Sequence, residues 1–133
     1  MAISPLARKL QIKPDSRIQV SGVPEDVAAG LEPLPDGATI LKRAGKSEID
    51  GLFLFASTKK ELDSTLGKHL ARLKHDGLLW VAFPKKSSGI QTDLSMYEGW
   101  STLEDAGLRG IRMISIDDTW SALRWRPKEC VKS

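Results

Sequence analysis

The sequence predicts an α/β fold in which helices cover a mostly parallel sheet, and three observations carry that expectation. Two runs, Gly-Leu-Phe-Leu-Phe-Ala at 51–56 and Leu-Leu-Trp-Val-Ala-Phe at 78–83, are uniformly apolar, the pattern of strands buried on both faces. Between them Leu62, Leu66, Leu70 and Leu73 recur at helical spacing, giving one apolar stripe to lay on a sheet face. Further on, two strand-like stretches are separated only by Asp117-Asp118-Thr119. A connection that short requires an antiparallel hairpin, because a parallel crossover needs a dozen residues or more.

Each element has local signals of its own. Residues 5–10 predict a short helix with Pro5 in its first turn and Leu6 and Leu10 one turn apart, a lid on the core. Pro14 and Asp15 mark a turn before a first strand at Arg17–Val20. Gly22 follows, and Pro24, Glu25 and Asp26 open a short helix running to about Leu31, with proline in the first turn and carboxylates at the positive end of the dipole. Pro33, Pro35, Asp36 and Gly37 form a turn before a second strand, Ala38–Leu41, ending in Lys42 and Arg43. Thr58 with Glu61 is a capping box for the leucine-striped helix, and Asp76-Gly77 ends that helix. Ser95 with Glu98 is a second capping box, followed by Met96, Trp100 and Leu103 on one face and closed by Gly107. Ile111–Ile116 alternates as an edge strand does. In the last strand, Trp120–Arg126, Leu123 and Trp125 share one face, and Trp120, Ala122, Arg124 and Arg126 a wetter one.

Composition narrows the function classes. The 133 residues suit one domain, 1–133, with 1–16 as helix and lead-in and 127–133 as a flexible tail. Twenty Lys and Arg against seventeen Asp and Glu leave a net charge of +3. That balance tolerates an anionic ligand but lacks the concentrated basic face of a nucleic-acid binder. The single cysteine, Cys130, has no internal partner and is expected to be solvated. The amino-terminal residues carry no apolar block of signal-peptide length, and no run approaches the roughly 20 residues of a spanning helix. A cytoplasmic location and no membrane association are therefore expected.

Candidate chemistry gathers after the 78–83 strand. Pro84 ends the ladder, and Lys85, Lys86, Ser87 and Ser88 stand where ligands bind in open α/β sheets, beyond the carboxyl end of a strand. Two ammonium groups, two hydroxyls and the backbone made accessible by Gly89 can hold an anion, although the spacing is not that of a phosphate-binding P-loop. If the fifth strand runs parallel to the fourth, Asp117 and Asp118 share this end and can orient the lysines, though tight turns favour aspartate anyway. Thr92 and Asp93 read as caps of the helix that follows. His69 and His75 lie off the leucine stripe and read as solvated side chains, with no cysteine or further histidine at metal-ligand spacing. The four tryptophans read as core rather than a base-stacking platform, and no catalytic constellation can be assembled.

The order of elements resembles a class I S-adenosylmethionine-dependent methyltransferase core shortened by one unit after the second strand. Leu10-Gln11-Ile12-Lys13-Pro14-Asp15-Ser16-Arg17-Ile18-Gln19-Val20 is similar to that family's lead-in to its first strand. Leu73-Lys74-His75-Asp76-Gly77-Leu78-Leu79-Trp80-Val81 is similar to the passage ending its fourth helix. Pro84-Lys85-Lys86-Ser87-Ser88-Gly89 and Asp117-Asp118-Thr119-Trp120-Ser121-Ala122-Leu123-Arg124 more closely resemble a family of short bacterial proteins of unknown function. With right-handed crossovers, the methyltransferase resemblance implies a three-layer Rossmann-like sandwich: a six-stranded sheet in the order 2-1-3-4-6-5 with only the last strand antiparallel. The family's cofactor motifs are altered. Ser21-Gly22-Val23-Pro24 stands where the family carries a GxGxG-type loop, and Leu41-Lys42-Arg43 where it carries a ribose-binding acid. S-adenosylmethionine is thus not an expected cofactor. The leading expectation is a non-catalytic binding or regulatory module for an anionic small molecule or a partner protein. The alternatives are a divergent S-adenosylmethionine-dependent methyltransferase and, third, a weak nucleic-acid binder using Arg124, Arg126 and Lys128. Homo-oligomerisation is left open.

Overall fold

The computed structural model describes residues 3–41, 47–94 and 99–130. In chain order the elements are α1 (Pro5–Lys9), β1 (Arg17–Ser21), α2 (Glu25–Gly30), β2 (Thr39–Leu41), β3 (Ile49–Phe55), α3 (Lys59–His69), β4 (Leu73–Pro84), α4 (Ser101–Asp105), β5 (Leu108–Ser115) and β6 (Trp120–Pro127). The six strands form one sheet in the order β2-β1-β3-β4-β6-β5. Parallel pairing joins β2, β1, β3 and β4, and β6 runs antiparallel to both β4 and β5.

Strand periodicity divides the core between the two faces of the sheet. On one face Ile18, Val20, Phe53, Phe55, Trp80 and Ala82 meet Ala7, Leu10, Val27 and Leu31 from the α1 and α2 side. On the other, Leu52, Leu54, Leu79, Val81 and Phe83 meet Leu62 and Leu66 of α3 and Leu103 of α4. Aromatic pairs extend both halves, Phe55 against Trp120 at 5.0 Å between centroids and Trp100 against Trp125 at 5.5 Å. Both faces of β6 are covered at its start. Ala122 is fully buried, so the wetter face predicted for this strand is confined to its end, at Arg124 and Arg126.

The amino-terminal helix is tied down at both ends. The Ser4 hydroxyl accepts from Ala7 N (3.0 Å) as an N-cap and donates to Gly30 O (2.7 Å), joining α1 to α2. Leu10 O accepts from the indole Nε1 of Trp80 at 2.9 Å, a buried bond between the lid and the centre of the sheet. This bond lets the largest core side chain be buried with its polar atom satisfied.

The structure corrects several boundaries. α3 opens as the capping box predicts, with the Thr58 hydroxyl accepting from Glu61 N at 3.2 Å. It ends at His69, however, and Leu70–Arg72 form a 3-10 turn. Leu73 leaves the predicted helical stripe to pair with Ile49, after which the register jumps so that Gly51 faces Leu78. The extra residues bulge out at Asp76, whose φ is +56°. The lone helical turn at Leu73 thus yields to sheet pairing, and the propensity of the leucine pattern is overridden by a β-bridge. α4 begins at Ser101, and the predicted capping box at Ser95 and Glu98, with Met96, lies outside the described residues. Within the carboxyl-terminal segment, Lys128–Cys130 form a 3-10 turn, with Lys128 N donating to Gly107 O at 2.9 Å. Cys130 is half-buried, not fully solvated.

Replacing Trp80 with Phe keeps the ring in place and leaves Leu10 O buried without its donor. Urea unfolding should show a loss of about 1–3 kcal/mol relative to the native sequence, whereas Trp120→Phe, at a half-buried ring, should cost less.

Candidate functional site

Two loops that are remote in sequence converge at the carboxyl ends of β4 and β5. Because both strands pair antiparallel to β6, they run parallel to each other, and their following loops emerge on the same end of the sheet. Lys85 N donates to Thr119 O at 2.8 Å, and Lys85 Nζ donates to the Ser115 hydroxyl at 2.6 Å. Ser88 Oγ donates to Lys85 O at 2.7 Å and accepts from Ile90 N at 3.2 Å, which closes Lys86–Ser88 into a 3-10 turn ending at Gly89, φ +80°. Lys86 and Ser87 are exposed.

Asp117 takes the role that a tight turn favours for aspartate. Asp117 Oδ1 accepts from Thr119 N and Trp120 N, both at 2.8 Å, the bond pattern of an aspartate closing a turn on its own backbone. Lys85 is bonded to a serine rather than to a carboxylate. The predicted neighbours are therefore brought together, but through backbone and hydroxyl contacts, and Asp118 stays exposed.

The next loop inward covers the end of β3. Thr92 Oγ1 donates to Ser57 O and accepts from Leu94 N, and Asp93 Oδ1 accepts from Lys59 N at 2.7 Å. Asp93 thus caps α3, and the start of the helix predicted to follow it lies outside the described residues. The electrostatics are those of any N-terminal carboxylate, satisfying an orphan helix N–H. At the end of β1, Gly22 has φ +70°, and a Cβ there would lie 2.8 Å from Phe55 O. Its lack of a side chain lets the ends of β1 and β3 approach each other. Pro24 N-caps α2 with no side-chain cap and has no N–H to offer. This set does not fit S-adenosylmethionine as the resembling family holds it, since the one glycine is used against the protein's own backbone. Lys42 and Arg43 lie outside the described residues.

A polar cluster missed by the sequence reading lies on the β1 face beside α3. Gln19, 1% exposed, donates to Leu41 O and Val20 O, and its Oε1 accepts from Arg72 Nη1 at 3.1 Å. Arg72 Nη1 also lies 2.8 Å from His69 Nδ1, and Arg72 Nε donates to Ser47 O. His69 is 4% exposed, which corrects its reading as solvated. An arginine is always a donor, so Nδ1 is the acceptor and the imidazole is neutral. Burial, then the nearby Arg72 and Lys68 charges, hold its pKa below the usual histidine value. The only sequence signal was a polar Gln19 between Ile18 and Val20 in a buried strand. Gln19 and His69, with Ser21, Gly22, Thr65 and Lys68, line a cleft of about 390 Å³.

Of the three cations considered for nucleic acid, one is paired and one is partly buried. Arg126 makes a two-pronged contact with Asp76, 2.8 and 2.7 Å, and the side chain of Arg124 is half-buried on the α1 face. Lys128 is exposed. Among the described residues no helix is long and apolar enough to cross a membrane, and no cluster of three metal-ligating side chains occurs.

No family model matches the chain, and no curated protein does. Solved structures do. The fibrillarin pre-rRNA processing protein of Methanococcus jannaschii aligns with a TM-score of 0.60 at 14% identity, covering 86% of this chain and 68% of that one. A SAM dependent methyltransferase from Aquifex aeolicus gives 0.53 at 16%, covering 89% and 85%. A protein in the NADB-Rossmann superfamily from Streptococcus agalactiae gives 0.51 at 10%, covering 96% and 69%. At these identities the likeness is one of fold: the chain has a Rossmann-like, methyltransferase-like α/β fold with an antiparallel carboxyl-terminal strand pair.

Because His69 is held neutral, its folded pKa lies below its unfolded value of about 6.5. The unfolded chain then binds more protons as pH falls through 6.5, so stability should drop over that range and level off below the folded pKa. Denaturation midpoints at pH 7.5 and 5.5 should differ less in His69→Gln than in the native protein. Separately, Gly22→Ala should lower stability by about 1 kcal/mol or more through positive φ and the Phe55 contact.

Proposed function

We propose that this chain is a non-catalytic binding module built on a methyltransferase-like core. Its ligand, an anionic small molecule or an acidic segment of a partner protein, meets the exposed Lys86 and Ser87 beside Lys85 and Ser88, with the Asp117–Thr119 turn as the adjoining wall. One observation carries the reading. The end of β3 is covered by the protein's own Thr92 and Asp93, bonded to Ser57 O and Lys59 N, and the end of β1 is packed against Phe55 O through Gly22. Strand ends that bind a dinucleotide or nucleoside cofactor in open α/β sheets are thereby engaged in internal contacts. No catalytic residue is assigned.

The alternative, a divergent S-adenosylmethionine-dependent methyltransferase, draws on the fold likeness to the Aquifex aeolicus enzyme. Titration calorimetry with S-adenosylmethionine separates the two. The binding-module reading expects no heat of binding at tens of micromolar; a dissociation constant near or below about 10 μM, roughly −7 kcal/mol, would restore the enzyme.

For the anion face, Lys86→Ala should weaken a polyanionic probe such as inorganic pyrophosphate on the order of tenfold, the worth of one charged hydrogen bond. Stability should not change, since Lys86 is exposed. Equal affinity of Lys86→Ala and the native protein for pyrophosphate would remove this face from the proposal.

A further inference from the structure

β5 is the edge of the sheet. Among the described residues it pairs with β6 on one side and with no strand on the other. In the hairpin, Ile116 N donates to Trp120 O at 3.0 Å. Antiparallel alternation from that bond directs the backbone N–H and C=O of Arg112 and Ile114 towards β6, and those of Met113 and Ser115 outward. Ser115 O accordingly accepts from a side chain, Lys9 Nζ, at 3.4 Å. An outward row of backbone donors and acceptors is a template for one more strand.

The two faces of this edge are chemically unlike. Residues directly opposite in an antiparallel ladder share a face, so Met113 lies with Leu123 on the α3 and α4 side of the sheet. Arg112 lies with Arg124, and hence with Trp80, on the α1 and α2 side. The bulge between Gly110 and Arg112 shifts the phase by one residue, which sets Arg109, opposite Arg126, on that same basic side. On the other side Ile111 and Met113, 41% and 40% exposed, join Leu108 along a groove of about 730 Å³ floored by Trp100, Leu123 and Trp125.

Charge indicates what covers it. Arg109, Arg112 and Lys128 line the groove against the single carboxylate of Glu104, an excess of two positive charges. None of the three cations is paired with a carboxylate among the described residues. Arg112 also stands directly opposite Arg124, a like-charge pair that an added carboxylate relieves. A second copy of this chain does not supply that carboxylate, because pairing β5 with itself brings two arginine-bearing faces together. Charges of one sign thus guard the edge against self-pairing and leave it open to a strand of the opposite sign. A nucleic-acid strand meets the arginines but has no peptide backbone to bond Met113 and Ser115.

We propose that β5 takes up an extended segment of a partner protein as a seventh strand, its side chains alternating between acidic and apolar. The acids face Arg109 and Arg112, and the apolar residues enter the groove beside Ile111 and Met113. Main-chain bonds then supply affinity and the two faces supply specificity. The edge meets the Lys85 face at Ser115, but the assignment does not rest on that face binding an anion.

The test uses the intact protein and a fluorescein-labelled peptide of about seven alternating valines and glutamates, enough to span residues 109–115. The controls are a peptide of the same composition in blocked order, an alternating valine and lysine peptide, and a single-stranded oligothymidylate. Fluorescence anisotropy should show the alternating acidic peptide bound about tenfold more tightly than any control. Arg109→Glu combined with Arg112→Glu should weaken it on the order of tenfold or more and confer binding of the lysine peptide. Met113→Pro, which removes one outward N–H at an edge where proline is tolerated, should weaken it with both arginines in place. Lys86→Ala should bind it as the native protein does, so failure here and failure of the Lys85 face are told apart. In the native protein, amide hydrogen exchange at Met113 and Ser115 should slow on adding the peptide, a readout that does not depend on any variant folding. No binding, equal binding of the blocked peptide, equal affinity of the charge-reversed or proline variant, loss in Lys86→Ala, unchanged exchange, tighter binding of the oligonucleotide, or self-association of the free protein through this edge would each overturn the assignment.

Discussion

The rest of the molecule depends on the parallel pairing of β3 with β4. Phe53 opposite Trp80 and Leu54 opposite Val81 place large apolar groups on both faces of two adjacent strands. Such a pair cannot be left half in water, so both faces must be roofed. α1 and α2 roof one face, α3 and α4 the other. The indole bond from Trp80 to Leu10 O then links the amino-terminal lid to that pair, and β6 closes the open side of β4 with a six-residue ladder. Each later feature of the chain sits where this arrangement leaves room.

Room is left in two kinds of place. At the carboxyl ends of the strands, the chain covers part of its own surface, with Thr92, Asp93 and Gly22 making internal contacts and Lys86 and Ser87 exposed. At the amino-terminal ends, the bulge in β4 near Asp76 lifts the backbone away from β3 and a cavity remains under the lead-in. On the face beside α3, β1 carries the polar Gln19 in place of an apolar residue, and Arg72 with His69 supplies its cover. A fold widely used for nucleoside cofactors thus has its polar investment moved away from the usual strand ends. Fold and chemistry are separable in this way because the apolar layers that specify the sandwich are not the loops that specify a ligand.

Periodicity and punctuation made most of the architecture legible in the sequence. The two apolar runs, the Thr58 capping box, the short Asp117 turn and the glycine and proline stops all act within a few residues, and local rules therefore report them. The same locality explains the errors. Leu73 fits the helical stripe but is taken by Ile49 across the sheet, and Asp93 precedes one helix in sequence but caps another in space. His69 lies off the leucine stripe and so reads as solvated; Arg72, from beyond the helix end, contacts it and is bonded in turn to Gln19 of β1.

For the candidate site, the sequence by itself determined which residues follow β4 and β5; that Lys85 and the Asp117 turn share one end of the sheet depended on β5 running parallel to β4, which the pairing of both with β6 shows. A connection as short as Asp117-Asp118-Thr119 fixes an antiparallel pair, whereas one as long as that from Pro84 to Leu108 leaves direction open. Only the tertiary structure decided what those side chains do once they meet: Lys85 finds a serine and Asp117 finds backbone amides. Hydrogen bonds and burial are set by distances of a few ångströms between segments dozens of residues apart, and no spacing along the sequence encodes such distances.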